Sequence, residues 1–224
     1  MKILIAIPCM DTVSTPFMQS LLALHNVGEV EYMCGIGSLV YDSRNKLADY
    51  AVKNGFDYIL FLDSDMVFEP DMLERMTESI GERDFLTALC FSRRPPNYRP
   101  CIYRRLGYQV DQKQQQLSLY SDILYEYPED EVFEIEGSGM ACVLMRVSMV
   151  EKVTKTKGLP FSPLIGFGED LSFCIKARAC GYKLYCDPGI KIGHIGNVII
   201  DEEVFKRSYY GADRSGEEAA ADKA

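Results

Sequence analysis

The sequence predicts an α/β fold, a single domain in which a mostly parallel, mixed sheet is flanked by helices. Three observations point there. Over the first ninety residues, short apolar runs of strand composition alternate with stretches of helical periodicity. The breaks between them carry turn chemistry, as at Asn54-Gly55. The apolar run 58–62 ends abruptly in Asp63-Ser64-Asp65, and open sheets of this kind bind ligands beyond the carboxyl ends of their strands.

Residues 2–8 form the first predicted strand. Residues 15–26 carry Phe17, Leu21, Leu22 and Leu24 at helical spacing, and 29–34 is a second strand. Ser43 is the expected cap of a helix through Lys53, stopped by Asn54-Gly55, with Leu47, Tyr50 and Ala51 on one side. The third strand, 58–62, leads into the acidic turn. Glu69-Pro70-Asp71 then opens a helix bearing Met72, Leu73, Met76 and Ile80, and 84–91 returns as a strand. From Ser92 to 131 the chain is rich in Arg, Pro, Tyr and Gln, with strand-like pieces at 101–105 and 117–120 and a polar hairpin turn at 112–116. Regular structure resumes at 132–135 and 140–145, separated by Glu136-Gly137-Ser138-Gly139, and a short helix covers 148–155. A mobile-looking stretch, 158–168, precedes a helix over 169–179 stopped by Gly181, then strands at 182–186 and 190–195. The tail, 211–224, has the Gly, Glu, Ala and Asp content of a disordered segment.

At 224 residues, 47% hydrophobic and 25% charged, the chain suffices for one sizeable core. A net charge of −9 argues against nucleic acid and anionic membrane as general partners, since both attract basic surfaces. No apolar run approaches a membrane span, and 3–8 is too short for a signal core, so a cytoplasmic location is expected. The eight cysteines never form C-x-x-C and lie mostly in apolar contexts, the pattern of buried reduced thiols.

Aspartate is a poor strand residue and costly to bury, so Asp63 and Asp65 at a strand end call for a partner. A divalent cation such as Mg²⁺ or Mn²⁺, held between carboxylates and nucleotide phosphates, is one; a helix-capping turn is the other reading. Gly168-Glu169-Asp170 starts a helix, where carboxylates either cap free N–H groups or place a general base beside a substrate approached closely at glycine. His194 sits between Gly193 and Gly196 with room for an ion to approach, whereas His25 lies in a helix pattern with a surface role. Arg93, Arg94, Arg99, Arg104 and Arg105 form a local basic patch suited to phosphate or to solvent. Arg44 and Asn45 open the helix before the acidic strand, facing the same crevice or merely starting the helix.

In this order, Arg44-Asn45, the apolar strand with Asp63-x-Asp65, Gly137-Ser138-Gly139, Gly168-Glu169-Asp170 with Phe173, and His194 after a last strand, the chain resembles a GT-A glycosyltransferase of the family 2 kind. The resemblance covers most of 2–196 and is poorest over 92–131. It implies one Rossmann-like GT-A domain over 1–210, with a nucleotide-sugar-binding half at 1–91 and an acceptor-binding, catalytic half at 92–210. It further implies donor binding by Asp63, Ser64 and Asp65 with Pro8 and Arg44, a Mn²⁺ or Mg²⁺ ion on Asp65 and His194 with Asp63, and Asp170, beside Glu169, as the base. Arg93, Arg94, Gly139 and Gly168 fall at acceptor or phosphate contacts. The implied partners are a nucleotide-sugar donor, most simply a UDP-sugar, and a glycan, lipid-linked or other hydroxyl acceptor. No Q-x-x-R-W element follows the acidic helix and the chain has no Trp, which argues against a processive synthase. Asp63-Ser64-Asp65-Met66-Val67 also fits the D-x-D-x-[TV] nucleophile motif of haloacid dehalogenase phosphatases, but that motif belongs on a first strand and here two strands precede it. An inactive protein of the same fold that binds carbohydrate or nucleotide is the non-enzymatic alternative.

Overall fold

A computed structural model describes residues 1–93, 98–111 and 116–196. Its centre is a seven-stranded sheet. In chain order the elements that build and flank it are β1 (Lys2–Cys9), α1 (Thr15–Ala23), β2 (Glu29–Ile36), α2 (Val40–Lys53), β3 (Tyr58–Leu62), β4 (Met66–Val67), α3 (Met72–Ile80) and β5 (Phe85–Leu89). After these come β6 (Ile102–Asp111), β7 (Gln116–Ile123), β8 (Phe133–Ile135), β9 (Gly137–Ser138), β10 (Cys142–Arg146), α4 (Val147–Lys157), α5 (Glu169–Ala179), β11 (Leu184–Lys191) and β12 (Gly193–His194).

The sheet order is β2-β1-β3-β10-β5-β11-β8. β1, β2, β3, β5 and β11 run in one direction, while β10, between β3 and β5, and β8 at the edge run against it. The sheet is therefore mixed and mostly parallel. β3 is buried along its whole length, as a strand covered on both faces must be, and this explains its unbroken apolar run. β1 divides its side chains between the two faces. Leu4 and Ala6 join Leu47, Phe61, Val143, Phe161 and Phe173 on one side; Ile3, Ile5 and Ile7 join Phe17, Leu60, Leu62, Met72 and Met76 on the other.

Several boundaries differ from expectation. α1 is capped by Ser14, whose Oγ accepts from the Phe17 amide at 3.2 Å, and ends at Ala23, short of 26. α2 begins at Val40, so Ser43 lies inside it, 2% exposed, and is not its cap. The two final strands predicted at 182–186 and 190–195 are one strand, β11, followed by the two-residue β12. Gly137-Ser138 is not a turn: as β9 it pairs with β6, making a second sheet of order β7-β6-β9. The region from Ser92 to 131 thus contains a long antiparallel hairpin, β6 and β7, whose expected turn falls mostly outside the described residues. Arg94 and the tail at 211–224 also lie outside them. All eight cysteines are free, and Cys90, Cys142, Cys174 and Cys186 are buried.

Candidate active site

The chain leaves β3 by a tight turn in which the Asp63 amide donates to Ala141 O at 2.9 Å and the Met66 amide to Asp63 O at 3.3 Å. No helix starts here, so the capping reading of these aspartates fails; β4 follows and pairs with β12. The turn sends the two carboxylates to different partners.

Asp63 meets Arg44. On α2 this arginine shares the buried stripe of Leu47, Ala48 and Ala51 and is itself 3% exposed. Its guanidinium carbon lies 5.4 Å from the centre of the Phe61 ring. Its polar fork is satisfied: Nη2 donates to Asp63 Oδ1 at 2.7 Å, Nη1 to Met140 O at 3.3 Å and Nε to Glu169 Oε1 at 3.4 Å. Arg44 therefore ties the end of β3 to the start of α5. Desolvation pushes the Asp63 carboxyl above its ordinary range, against the pull of Arg44. Asn45 serves elsewhere, its Oδ1 accepting from the Phe161 amide at 3.0 Å.

Asp65 meets His194 and Arg93. Pairing of His194 with Met66, and donation from the Ile195 amide to Asp65 O at 2.8 Å, bring the imidazole alongside. His194 Nδ1 lies 2.9 Å from Phe91 O, and a carbonyl only accepts, so Nδ1 carries the proton and Nε2 faces Asp65 Oδ2 at 3.5 Å. Arg93 Nη1 pairs with the same oxygen and donates to Ile195 O at 3.2 Å. Burial alone would raise the Asp65 pKa, but His194 and Arg93 outweigh it and hold the carboxyl below its ordinary value. Asp65 favours the ring with both nitrogens protonated, because Nε2–H could then donate to its carboxylate, and so raises the pKa of His194. Asp65 and His194 make a two-donor pair. Among the described residues no third His, Cys, Asp or Glu completes a protein metal site. One carboxylate and one imidazole are too few for a closed structural ion, and a divalent cation could be held here only with its shell completed by phosphate or water.

Asp170 occupies the second position of α5. Its Oδ1 accepts from the Leu171 amide at 2.7 Å, and neither acidic residue caps the helix from its N-cap, Gly168. Burial, with Glu169 beside it, pushes its pKa up to about 6. Gly168 leaves space for this carboxylate, since a Cβ there would stand 2.9 Å from Asp170 Oδ1, whereas one at Gly139 would meet Oδ2 at an ordinary contact distance of 3.9 Å. Ser138, just before Gly139, has a buried hydroxyl without a partner among the described residues.

The stretch 158–168, expected to be mobile, is pinned. Lys176, 6% exposed, donates from Nζ to Leu159 O at 2.9 Å, Pro160 O at 3.3 Å, and Ser162 O and Oγ at 2.7 Å each. Ser172 Oγ accepts from the Leu164 amide at 2.8 Å, and Phe161 is fully buried between Phe61 and Phe173, 4.9 and 4.7 Å away. Lys176 went unnoticed in the sequence, although a lysine three residues after Phe173 and one before Ala177 sits on an apolar face and was the available signal.

Pro8, Thr12, Gly37, Asp63, Ser64, Asp65 and Arg93 line one open cavity of about 340 Å³ at the carboxyl ends of β1 and β3. The arginine patch disperses: Arg93 reaches Asp65, Arg105 pairs with Asp122 at 3.6 Å and covers Tyr120, and Arg104 lines a different cavity with Arg178. Arg93 lies before the hairpin, and on β6 the adjacent Arg104 and Arg105 turn to different surroundings, which linear proximity did not show.

No protein-family model and no curated protein sequence matches the chain. Solved structures do match. A197 from STIV superimposes with a TM-score of 0.58 at 19% identity, over 90% of this chain and 97% of that one. GalNAc-T7, crystallised with UDP, GalNAc and Mn²⁺, gives 0.56 at 11% identity, over 88% of this chain and 43% of that one. S. aureus TarS residues 1–349 give 0.51 at 14% identity, over 87% and 60%. The chain thus spans about half the length of these last two. Together with the mixed sheet and its helices they define a GT-A-like fold. Among the described residues no helix is long and apolar enough to cross a membrane.

Proposed function

We propose that the protein is a metal-dependent glycosyltransferase that moves one sugar from a nucleoside diphosphate donor, a UDP-sugar in the simplest case, to a hydroxyl acceptor with inversion. The observation that carries this reading is the convergence on Arg44. It joins Asp63, at the end of β3, to Glu169, next to Asp170, across more than a hundred residues of chain. The proposed donor corner and the proposed base are thereby linked through one buried side chain, on a fold whose neighbour GalNAc-T7 was crystallised with UDP, GalNAc and Mn²⁺.

The roles follow from the chemistry. Pro8 and Ser64 line the donor cavity, and Asp65 and His194 would hold Mn²⁺ or Mg²⁺, with Asp63 set by Arg44 behind them. The cation would neutralise charge on the leaving diphosphate. Asp170 takes the acceptor hydroxyl proton, and the freed oxygen pair forms a bond to the anomeric carbon. The bond from that carbon to the β-phosphate oxygen breaks, its electron pair leaving with the nucleoside diphosphate. A base with a pKa of about 6 is charged at neutral pH yet basic enough to accept that proton. A glycan or lipid-linked acceptor would approach Asp170 past Gly168 and Gly139, the first of which has no room for a side chain beside Asp170 Oδ1. Held by Arg44 at 2.7 Å, Asp63 is poorly placed to act as a phosphatase nucleophile.

Thermal-shift titration of the full chain with nucleotides and nucleotide sugars, with and without Mn²⁺, should reveal a donor whose stabilisation needs the metal. Hydrolysis or transfer from that donor should vanish in Asp65→Ala and Asp170→Ala while circular dichroism stays unchanged. Full activity of both variants would end the proposal. Metal-dependent donor binding without turnover would identify an inactive relative of the fold, and a trapped phosphoenzyme at Asp63 a phosphatase.

A further inference from the structure

The two arginines at the acidic corner hold their carboxylates in different ways. Arg44 is 3% exposed and bonded to three groups, so it is part of the frame. Arg93 approaches from the solvent side, its side chain 49% exposed and tethered, among the described residues, to Asp65 and the Ile195 carbonyl. The oxygen it covers, Asp65 Oδ2, is the one that faces His194 Nε2 at 3.5 Å. The single carboxylate–imidazole pair of the corner is thus capped by an exposed guanidinium.

We propose that Arg93 is an exchangeable cation, neutralising Asp65 in the unliganded protein and moving to the donor diphosphate when a divalent ion is taken up at Asp65 and His194. This rests on the metal-dependent reading above. Two cations on one oxygen repel each other where water is partly excluded, so a metal ion taken up at Asp65 competes with Arg93 for Oδ2. Once released, Arg93 stays in the same cavity as Pro8, Thr12 and Ser64, and its planar fork suits bidentate contact with phosphate. Metal without nucleotide must compete with Arg93, whereas metal with nucleotide offers the guanidinium a new anion. Metal and diphosphate should therefore bind cooperatively, and by linkage each strengthens the other equally.

Isothermal titration of the full chain with MnCl2 tests this without relying on turnover. Arg93→Ala should bind Mn²⁺ alone about tenfold more tightly than the wild type and bind UDP in saturating Mn²⁺ about tenfold more weakly, with Arg93→Lys between them. Mn²⁺ binding by Arg93→Ala that is no tighter than wild type overturns the role of Arg93 while leaving the metal site intact, provided that wild type binds Mn²⁺ with UDP and Asp65→Ala does not. If wild type takes up no Mn²⁺ even with UDP, or Asp65→Ala binds it unchanged, the metal reading falls and the role of Arg93 with it.

Discussion

Asp170 is pulled between stability and chemistry. Its pKa is raised from 3.8 to about 6, chiefly by burial, so the folded protein prefers the neutral acid. A raised carboxyl favours folding below its unfolded pKa, and that advantage is lost as pH climbs through the folded value. The loss amounts to about 3 kcal/mol at most by pH 8. Asp170→Asn should therefore raise the melting temperature at pH 8 and leave it almost unchanged at pH 4, while removing transfer activity. If Asp170 is the base, the rate in the wild type should climb about tenfold per pH unit below 6 and level off above it. A profile flat from pH 5 to 8 would remove the base assignment. Arg44 sets the opposite case, a buried cation between two carboxylates. Arg44→Met strands Asp63 in the crevice and should cost about 3 kcal/mol in urea unfolding at pH 7, since breaking a buried pair leaves a charge uncompensated.

Among the elements, α5 does two jobs. Its first turn presents Glu169 and Asp170, and its body holds the 158–168 segment through Ser172, Phe173 and Lys176. Lys176→Met keeps the unbranched stem but removes the ammonium, leaving partly buried carbonyls without a donor, so about 2 kcal/mol of stability should be lost. Limited proteolysis should then open 158–168 before the rest of the chain is cut. Phe161→Ala empties a site stacked at 11° on Phe173 and should cost about 4 kcal/mol in the same measurement. Unchanged protease resistance in both variants would mean that the segment is held by something other than these contacts.

For the whole molecule, the decisive feature is β10. It comes from the second half of the sequence yet lies between β3 and β5 of the first, pairing antiparallel with both. Residues 1–91 therefore make no continuous sheet of their own, because β3 and β5 are joined through β10. A fragment of residues 1–91 should stay unfolded, with no dispersed amide spectrum. The full chain should melt in one transition that a saturating donor shifts as a whole.

The acidic step after β3 and the acidic start of α5 were legible in the sequence because each breaks a local rule: carboxylates end an apolar run, and a charged pair follows two closely spaced glycines. The strands and helices were legible from their periods, since burial on both faces of a parallel sheet leaves unbroken apolar runs and burial on one face of a helix leaves a stripe. Sequence spacing alone left open which carboxylate meets which cation. Only the tertiary structure sends Asp63 to Arg44 and Asp65 to Arg93 and His194, turns Asn45 away toward Phe161, and scatters the arginine patch. The physical reason is that periodicity is a property of one element, whereas the partner of a buried charge is chosen by packing among elements far apart in the chain.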